Sequence, residues 1–275
     1  MSATISTQPA CVAVYERTIG ASLDRIWENV LDWEHLPWLH ADSFSDIAIR
    51  HGDRDGWHAD VVLADGSAAE VAVTLERAQL RYTTATLAGA GTGTKIITTL
   101  APSGERTTDI RVEFCVPDIP SDSREVVGQF YVQVYEQLWD EDEVMMRSRQ
   151  QQLDARKEVG RELEREARLR MPLTLGKLVD LRRQLPLVVD WAGQELRIVE
   201  LDGELVAHST QCPHLLGPLA DAPVVDRCIT CPWHGYRFDV RTGASADRRG
   251  LRLRAAPRVC VDNEENVFLE IPEVG

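Results

Sequence analysis

The sequence predicts an α+β protein of two domains, an antiparallel sheet wrapped on a long helix and then a small all-β domain. Three observations predict it. Between Cys11 and Asp118, apolar and polar residues alternate with the period of two expected of half-buried strands, broken by one helical stretch. From near Ser123 the pattern turns helical and stays so for more than forty residues. After Leu185, short alternating runs separated by turn residues return.

Seven strand candidates occupy 11–19, 45–50, 56–64, 67–75, 79–87, 94–101 and 109–116. A helix is expected after Ser22, a good N-cap, running through LDRIWENVLDWEHL. The long helical pattern runs from Arg124 to Leu169 and becomes heavily charged after Met146, as a solvated helix or linker does. A strand, short helices, six strands and a final long helix is the order of a helix-grip, START-like fold, which leaves a cavity between sheet and helix. We therefore expect a helix-grip domain over 1–170, a linker over 171–182 and a small all-β domain over 183–275. No internal repeat or low-complexity tract interrupts this plan.

The 275 residues suit two domains on the usual prior of ~100–200 residues each. With 44% hydrophobic and 27% charged residues the chain can bury a core. The net charge of −14 and pI near 5.0 argue against a nucleic-acid partner, and no local basic patch is expected to override them. The first residues lack a basic start and an apolar core, and no run approaches the ~20 apolar residues of a membrane span. A cytoplasmic protein is expected. Of the six cysteines, two pair with histidines at metal-ligand spacing, which suits a reducing compartment; Cys11, Cys115, Cys228 and Cys260 are expected to be free thiols.

The segments CPHLLGPL and CPWHGYRFD place Cys212-x-His214 and Cys231-x2-His234 on two loops punctuated by Pro213, Gly217, Pro232 and Gly235. Two thiolates can hold one iron of a 2Fe-2S cluster and two imidazoles the other. Zinc also accepts two cysteines and two histidines, but zinc sites use wider gaps within each pair and usually group like ligands. Residues 183–272 resemble the Rieske domain family along their whole length. The respiratory branch of that family braces its cluster loops with a disulfide, where this chain has Gly217 and Trp233. Without that disulfide, and with Tyr236 in place of a serine, the segment is similar to the low-potential ferredoxin and oxygenase-type proteins.

A cluster only moves electrons, and the N-terminal domain offers a receiver. His35 and His40 stand five apart, ~140° around a continuous helix. Pro37 is expected to break the helix by disfavouring it at Leu36, so that both imidazoles converge. Two histidines and a carboxylate make a facial triad for non-haem Fe(II), with positions left open. Among Asp140, Glu141, Asp142 and Glu143 on the long helix, only Asp142 shares a face with Tyr135, Leu138, Met145 and Met146; Glu141 is a weak second choice. His51, His58 and His208 lack such company and are expected to be structural. Trp33, Trp38, Tyr131 and Tyr135 suit either cavity wall or core.

The run Glu28-Asn29-x2-Asp32-x2-His35-x4-His40, with Glu141-Asp142 far downstream, resembles the catalytic domain of Rieske non-haem iron oxygenases, notably the O-demethylase and monooxygenase branch. The resemblance implies that His35, His40 and Asp142 bind mononuclear Fe(II), that Asp32 bridges a Rieske histidine to a ligand histidine, and that Asn29 stands beside the metal. It implies O2 as co-substrate; a separate NAD(P)H-dependent reductase or ferredoxin is expected because no Gly-rich dinucleotide fingerprint opens a helix in the chain, and a small hydrophobic or aromatic substrate is expected by fold analogy only. The domain order is inverted relative to that family. Asp32 lies one helical turn before His35, within reach of its second ring nitrogen, and a neighbour's cluster histidine meeting Asp32 would make a cyclic homotrimer. The rival reading is a non-catalytic helix-grip ligand-binding domain fused to an electron-transfer module.

Overall fold

The computed structural model describes residues 11–162, 172–191 and 193–270. Two compact units divide the chain, Met1–Arg147 and Ser148–Gly275.

In the first unit all seven expected strands form: β1 (Cys11–Ile19), β2 (Phe44–Asp53), β3 (Gly56–Leu63), β4 (Ala68–Glu76), β5 (Arg81–Gly89), β6 (Lys95–Gly104) and β7 (Thr107–Cys115). They make one antiparallel sheet in the order β1-β7-β6-β5-β4-β3-β2. The hairpins from β2 to β7 follow chain order because each turn is short, and β1 closes against the last of them. Alternation decides which face is buried. In β7, Thr108, Ile110, Val112 and Phe114 point inward while Asp109 and Arg111 face solvent. Gly56 starts β3 at φ +148°, and a Cβ there would lie 2.0 Å from the Val73 carbonyl oxygen, so no other residue fits this approach.

The helix expected after Ser22 forms as three pieces. Helix α1 (Leu23–Leu31) is capped by the Ser22 side chain, which accepts from the Arg25 amide; a 3-10 turn (Trp33–His35) and α2 (Leu36–Leu39) follow. The expected break at Leu36 is not where the chain bends. Leu36 is helical (φ −50°, ψ −52°), with Pro37 in the first turn of α2, where its missing N–H costs nothing. The bend lies at Asp32 (φ −88°, ψ 73°), between α1 and the 3-10 turn.

Helix α3 spans Arg124–Glu162; the remainder of its expected run, to Leu169, lies outside the described residues. Its inward side chains Tyr131, Tyr135, Trp139 and Met146 recur at helical spacing and pack with Ile26, Trp27, Leu100, Val112 and Phe114 in one core. Phe114 stacks on Tyr131 (5.4 Å between centroids) and meets the edge of Tyr135 (4.9 Å). Trp38 is half exposed, which removes it from the core candidates.

The second unit holds three small antiparallel sheets. Strands β8 (Leu173–Lys177), β15 (Arg258–Val261) and β16 (Asn266–Glu270) make one; β9 (Leu187–Trp191), β10 (Gln194–Leu201) and β11 (Glu204–Ser209) another; β12 (Val224–Val225), β13 (Cys228–Thr230) and β14 (Arg237–Asp239) the third. Leu196, Ile198, Ala207 and Leu269 form one buried cluster of this unit, with Leu173 and Leu175 packed against it. The linker expected over 171–182 is therefore partly structured: β8 pairs with β16, and a short helix, α4 (Leu178–Arg182), buries Leu181.

Candidate functional site

His35, His40 and Asp142 come together in the first unit, their ligating atoms within 4.8 Å of one another, the one such trio among the described residues. Both histidines are almost wholly buried. His40 Nε2 lies 3.1 Å and His35 Nε2 3.5 Å from Asp142 Oδ1. Asn29 Nδ2 donates to the same oxygen at 2.8 Å. His40 caps the C-terminus of α2 at φ −107°, ψ 42°, off the helical path, and so the ~140° separation of a regular helix does not apply. The helical phase drawn for α3 holds: the Asp142 side chain is 14% exposed and that of Asp140 66%, with Asp140 turned away to Arg17.

A second carboxylate lies near the other nitrogen of each imidazole, within hydrogen-bond distance for His40 but only at ion-pair distance for His35. Asp32 Oδ2 stands 3.7 Å from His35 Nδ1, and Glu141 Oε2 2.5 Å from His40 Nδ1. A metal-bound histidine is oriented in this way by a carboxylate on its free nitrogen. Glu141, weighed above only as a second-choice ligand, is placed as the partner of His40. Its position next to Asp142 was visible in the sequence, but which histidine it reaches depends on how α3 docks on α2.

Burial opposes charge on both His40 and Asp142. For His40 the hydrogen bond and field of Asp142, then of Glu141, override it and raise its pKa; for Asp142, hydrogen bonding to His40 and the fields of both histidines override it and lower its pKa. The donors are one carboxylate and two buried imidazoles with carboxylates behind them, a set that fits Fe(II). Glu141→Gln is expected to keep the fold and weaken iron binding by about 10–100-fold, measured by chelator competition. Wild-type affinity in that variant would show that the Glu141 contact does not orient the ligand.

The remaining histidines have their own partners or burial: His58 pairs with Glu70 (2.8 Å), His51 with Asp53 (3.3 Å), and His208 is buried. The first two are therefore not partnerless, as the sequence suggested. An open surface groove of about 530 Å3 runs between β1 and α3, lined by Val12, Ala13, Gly128, Gln129 and Val132 among others, none of them in the trio.

In the second unit, the two cysteine loops close alike. The Cys212 amide donates to the carbonyl of Gly217 and the Leu216 amide to Cys212; the Cys231 amide donates to Tyr236 and the Gly235 amide to Cys231. The fourth residue after each cysteine is left-handed, Leu216 at φ 66° and Gly235 at φ 65°. Glycine adopts this freely, whereas Leu216 accepts ~1–2 kcal/mol of strain to complete the same turn. A Cβ on Gly217 would fall 2.7 Å from Cys231 Sγ and 3.1 Å from the Trp233 ring, so the glycine lets one loop lie against the sulfur of the other.

Cys212 and Cys231 are fully buried and share a hydrogen bond, which pushes the Cys212 thiol up and the Cys231 thiol down. The rings of His214 and His234 lie 4.6 Å apart. Sulfur thus sits with sulfur and nitrogen with nitrogen, as ligands of two separate irons require and a single zinc does not. The other four cysteines are free thiols. His234→Cys is expected to abolish or convert the Rieske EPR signal of the reduced protein; an unchanged spectrum would remove His234 from the ligand set.

Sequence reading missed two features here. Tyr236 stacks on His214 (4.4 Å between centroids, 20° between planes), with the Arg249 guanidinium 4.0 Å from the tyrosine ring. Against the expectation of no local basic patch, residues 227–258 hold eight arginines and two aspartates.

Residues 172–255 match the model of the Rieske [2Fe-2S] domain, and the C-terminal unit is a Rieske domain. Over 51 residues the chain is 41% identical to the ferredoxin component of a naphthalene 1,2-dioxygenase system from Pseudomonas putida, 18% of this chain and 49% of that protein. The chain thus spans about half the length of the curated relatives it matches. The ferredoxin of carbazole 1,9a-dioxygenase from Nocardioides aromaticivorans IC177 is 30% identical, with 37% of this chain and 99% of that one covered and a TM-score of 0.32. A START superfamily protein from Mycobacterium smegmatis is 19% identical, with 49% of this chain and 96% of that one covered and a TM-score of 0.41. Among the described residues no helix is long and apolar enough to cross a membrane.

Proposed function

We propose that the protein is a Rieske-type mononuclear iron oxygenase with its catalytic domain first, acting on a small hydrophobic or aromatic substrate. One observation carries the reading: both histidine Nε2 atoms and the Asn29 amide converge on one oxygen of Asp142, while Asp32 and Glu141 stand behind the two rings. With Fe(II) held there, the site would supply O2 activation: O2, two electrons delivered through the cluster and two protons would convert a C–H bond into C–OH and water, which at an O- or N-methyl group gives demethylation. His35, His40 and Asp142 hold the metal. Asn29 fixes the Asp142 carboxylate, Glu141 fixes the His40 imidazole, Asp32 stands 3.7 Å behind that of His35, and Tyr82 and Tyr135, whose pKa values burial raises, stand near Asp142 as uncharged groups. Cys212, His214, Cys231 and His234 hold the cluster that passes electrons from a separate reductase or ferredoxin.

A second reading, a helix-grip ligand-binding domain fused to an electron-transfer module, draws on the dioxygenase ferredoxin component among the relatives. Nitric oxide separates the two. Added to the reduced protein, it is expected to give the half-integer-spin EPR signal of a ferrous nitrosyl beside the cluster signal, and to lose it in His35→Ala protein. Absence of that signal from iron-replete wild-type protein would leave the carrier reading.

A further inference from the structure

We infer that the arginine-rich face of the Rieske unit docks an acidic one-electron donor protein, with Arg249, which reaches the ligand histidine through Tyr236, among its contacts. This deepens the proposed function by assigning the chemistry of the donor, and it rests on the cluster and an external donor, not on the mononuclear iron.

The eight arginines of residues 227–258 are all exposed, in a chain whose net charge is −14. Four of them are gathered together. Arg241, Arg252, Arg254 and Arg258 line one groove of about 450 Å3. At one edge of the groove, the bridge between Ala244 and Arg252 closes a loop whose Arg249 amide donates to Ser245 Oγ at 3.2 Å. The same Arg249 reaches the Tyr236 ring, which stacks on His214. Groove, loop and ligand histidine therefore form a continuous path from exposed guanidinium to the cluster site.

Acidic neighbours answer part of this charge: Arg241 pairs with Glu204 and Asp202, and Arg249 with Asp247 at 3.4 Å. The excess extends onto α3, where burial and then the fields of Arg254 and Arg149 lower the pKa of Arg156. Such a patch on an acidic chain steers an oppositely charged partner to one face and repels it from the rest. A protein donor presents carboxylates on one side only. Duplex DNA presents phosphate all round, and the acidic remainder of the chain opposes it. In the docked pair one electron passes from the reduced donor to the oxidised cluster, and no bond forms or breaks.

The test is stopped-flow reduction of the full-length, cluster-loaded protein by a reduced acidic 2Fe-2S ferredoxin, comparing wild type with Arg248→Glu/Arg249→Glu and Arg252→Glu/Arg254→Glu over a range of salt. At low ionic strength each double variant is expected to accept electrons about tenfold or more slowly, and the salt dependence of the wild type should flatten. Photoreduced deazaflavin, which needs no docking site, should reduce all three proteins alike, and an unchanged EPR spectrum shows intact loading. Arg249→Lys should keep the wild-type rate. Equal ferredoxin rates in wild type and both variants, a wild-type rate indifferent to salt, or patch-dependent binding of duplex DNA in place of ferredoxin would overturn the inference. Because the readout is cluster reduction, it stands or falls separately from the presence of mononuclear iron.

Discussion

Asp142→Ala protein is expected to lose its mononuclear iron and its turnover while retaining an unchanged Rieske spectrum. The carboxylate is the point on which Asn29, His35 and His40 converge, and removing it takes away the proposed ligand and leaves two buried imidazoles facing a void. The loss of iron affinity should exceed the about 10–100-fold that follows loss of an outer partner such as Glu141. Asp140→Ala is the control, because Asp140 faces solvent and pairs with Arg17. Iron retained in Asp142→Ala and lost in Asp140→Ala would mean that α3 presents a different face to the metal.

Asp32→Asn is expected to keep both metal centres and to slow electron transfer between them by about 10–100-fold. Asp32 stands behind His35, and its second carboxylate oxygen is the group proposed to meet a cluster histidine of a neighbouring chain in a cyclic trimer. Asparagine keeps the shape and removes the charge. Reducing the cluster and following the oxidation of both centres by rapid-freeze EPR gives the rate directly. Wild-type transfer in the variant, or normal turnover by a monomer at high dilution, would sink the bridge.

Much of this was legible in the residues themselves. The seven strands read cleanly because each buries one face, so a period of two runs through them, as in Thr108, Ile110, Val112 and Phe114. Asp142 could be chosen from an acidic run of four because helical phase ties it to Tyr135 and Met146. The position of the bend near His35 could not. Pro37 advertises a break at Leu36, yet proline is also at ease in the first turn of a helix, and it takes that second role at the start of α2. The strand at Leu173–Lys177 is not legible in the sequence because the alternation of Leu173, Thr174 and Leu175 stops at Gly176, and only pairing with β16 makes the five residues a strand. Glu141 and Arg249 escaped for a related reason: their partners, His40 and Tyr236, lie on other elements, and charge alone does not say what it touches.

The central claim is a second iron site in the first unit, and iron content per chain tests it most directly. Protein purified or reconstituted without oxygen, with its cluster quantified by EPR spin integration, should contain the cluster iron plus one further iron per chain, and that further iron should be absent when His35 or His40 is replaced by alanine. Cluster iron alone in wild-type protein, under conditions where added Fe(II) is freely available, would contradict the account.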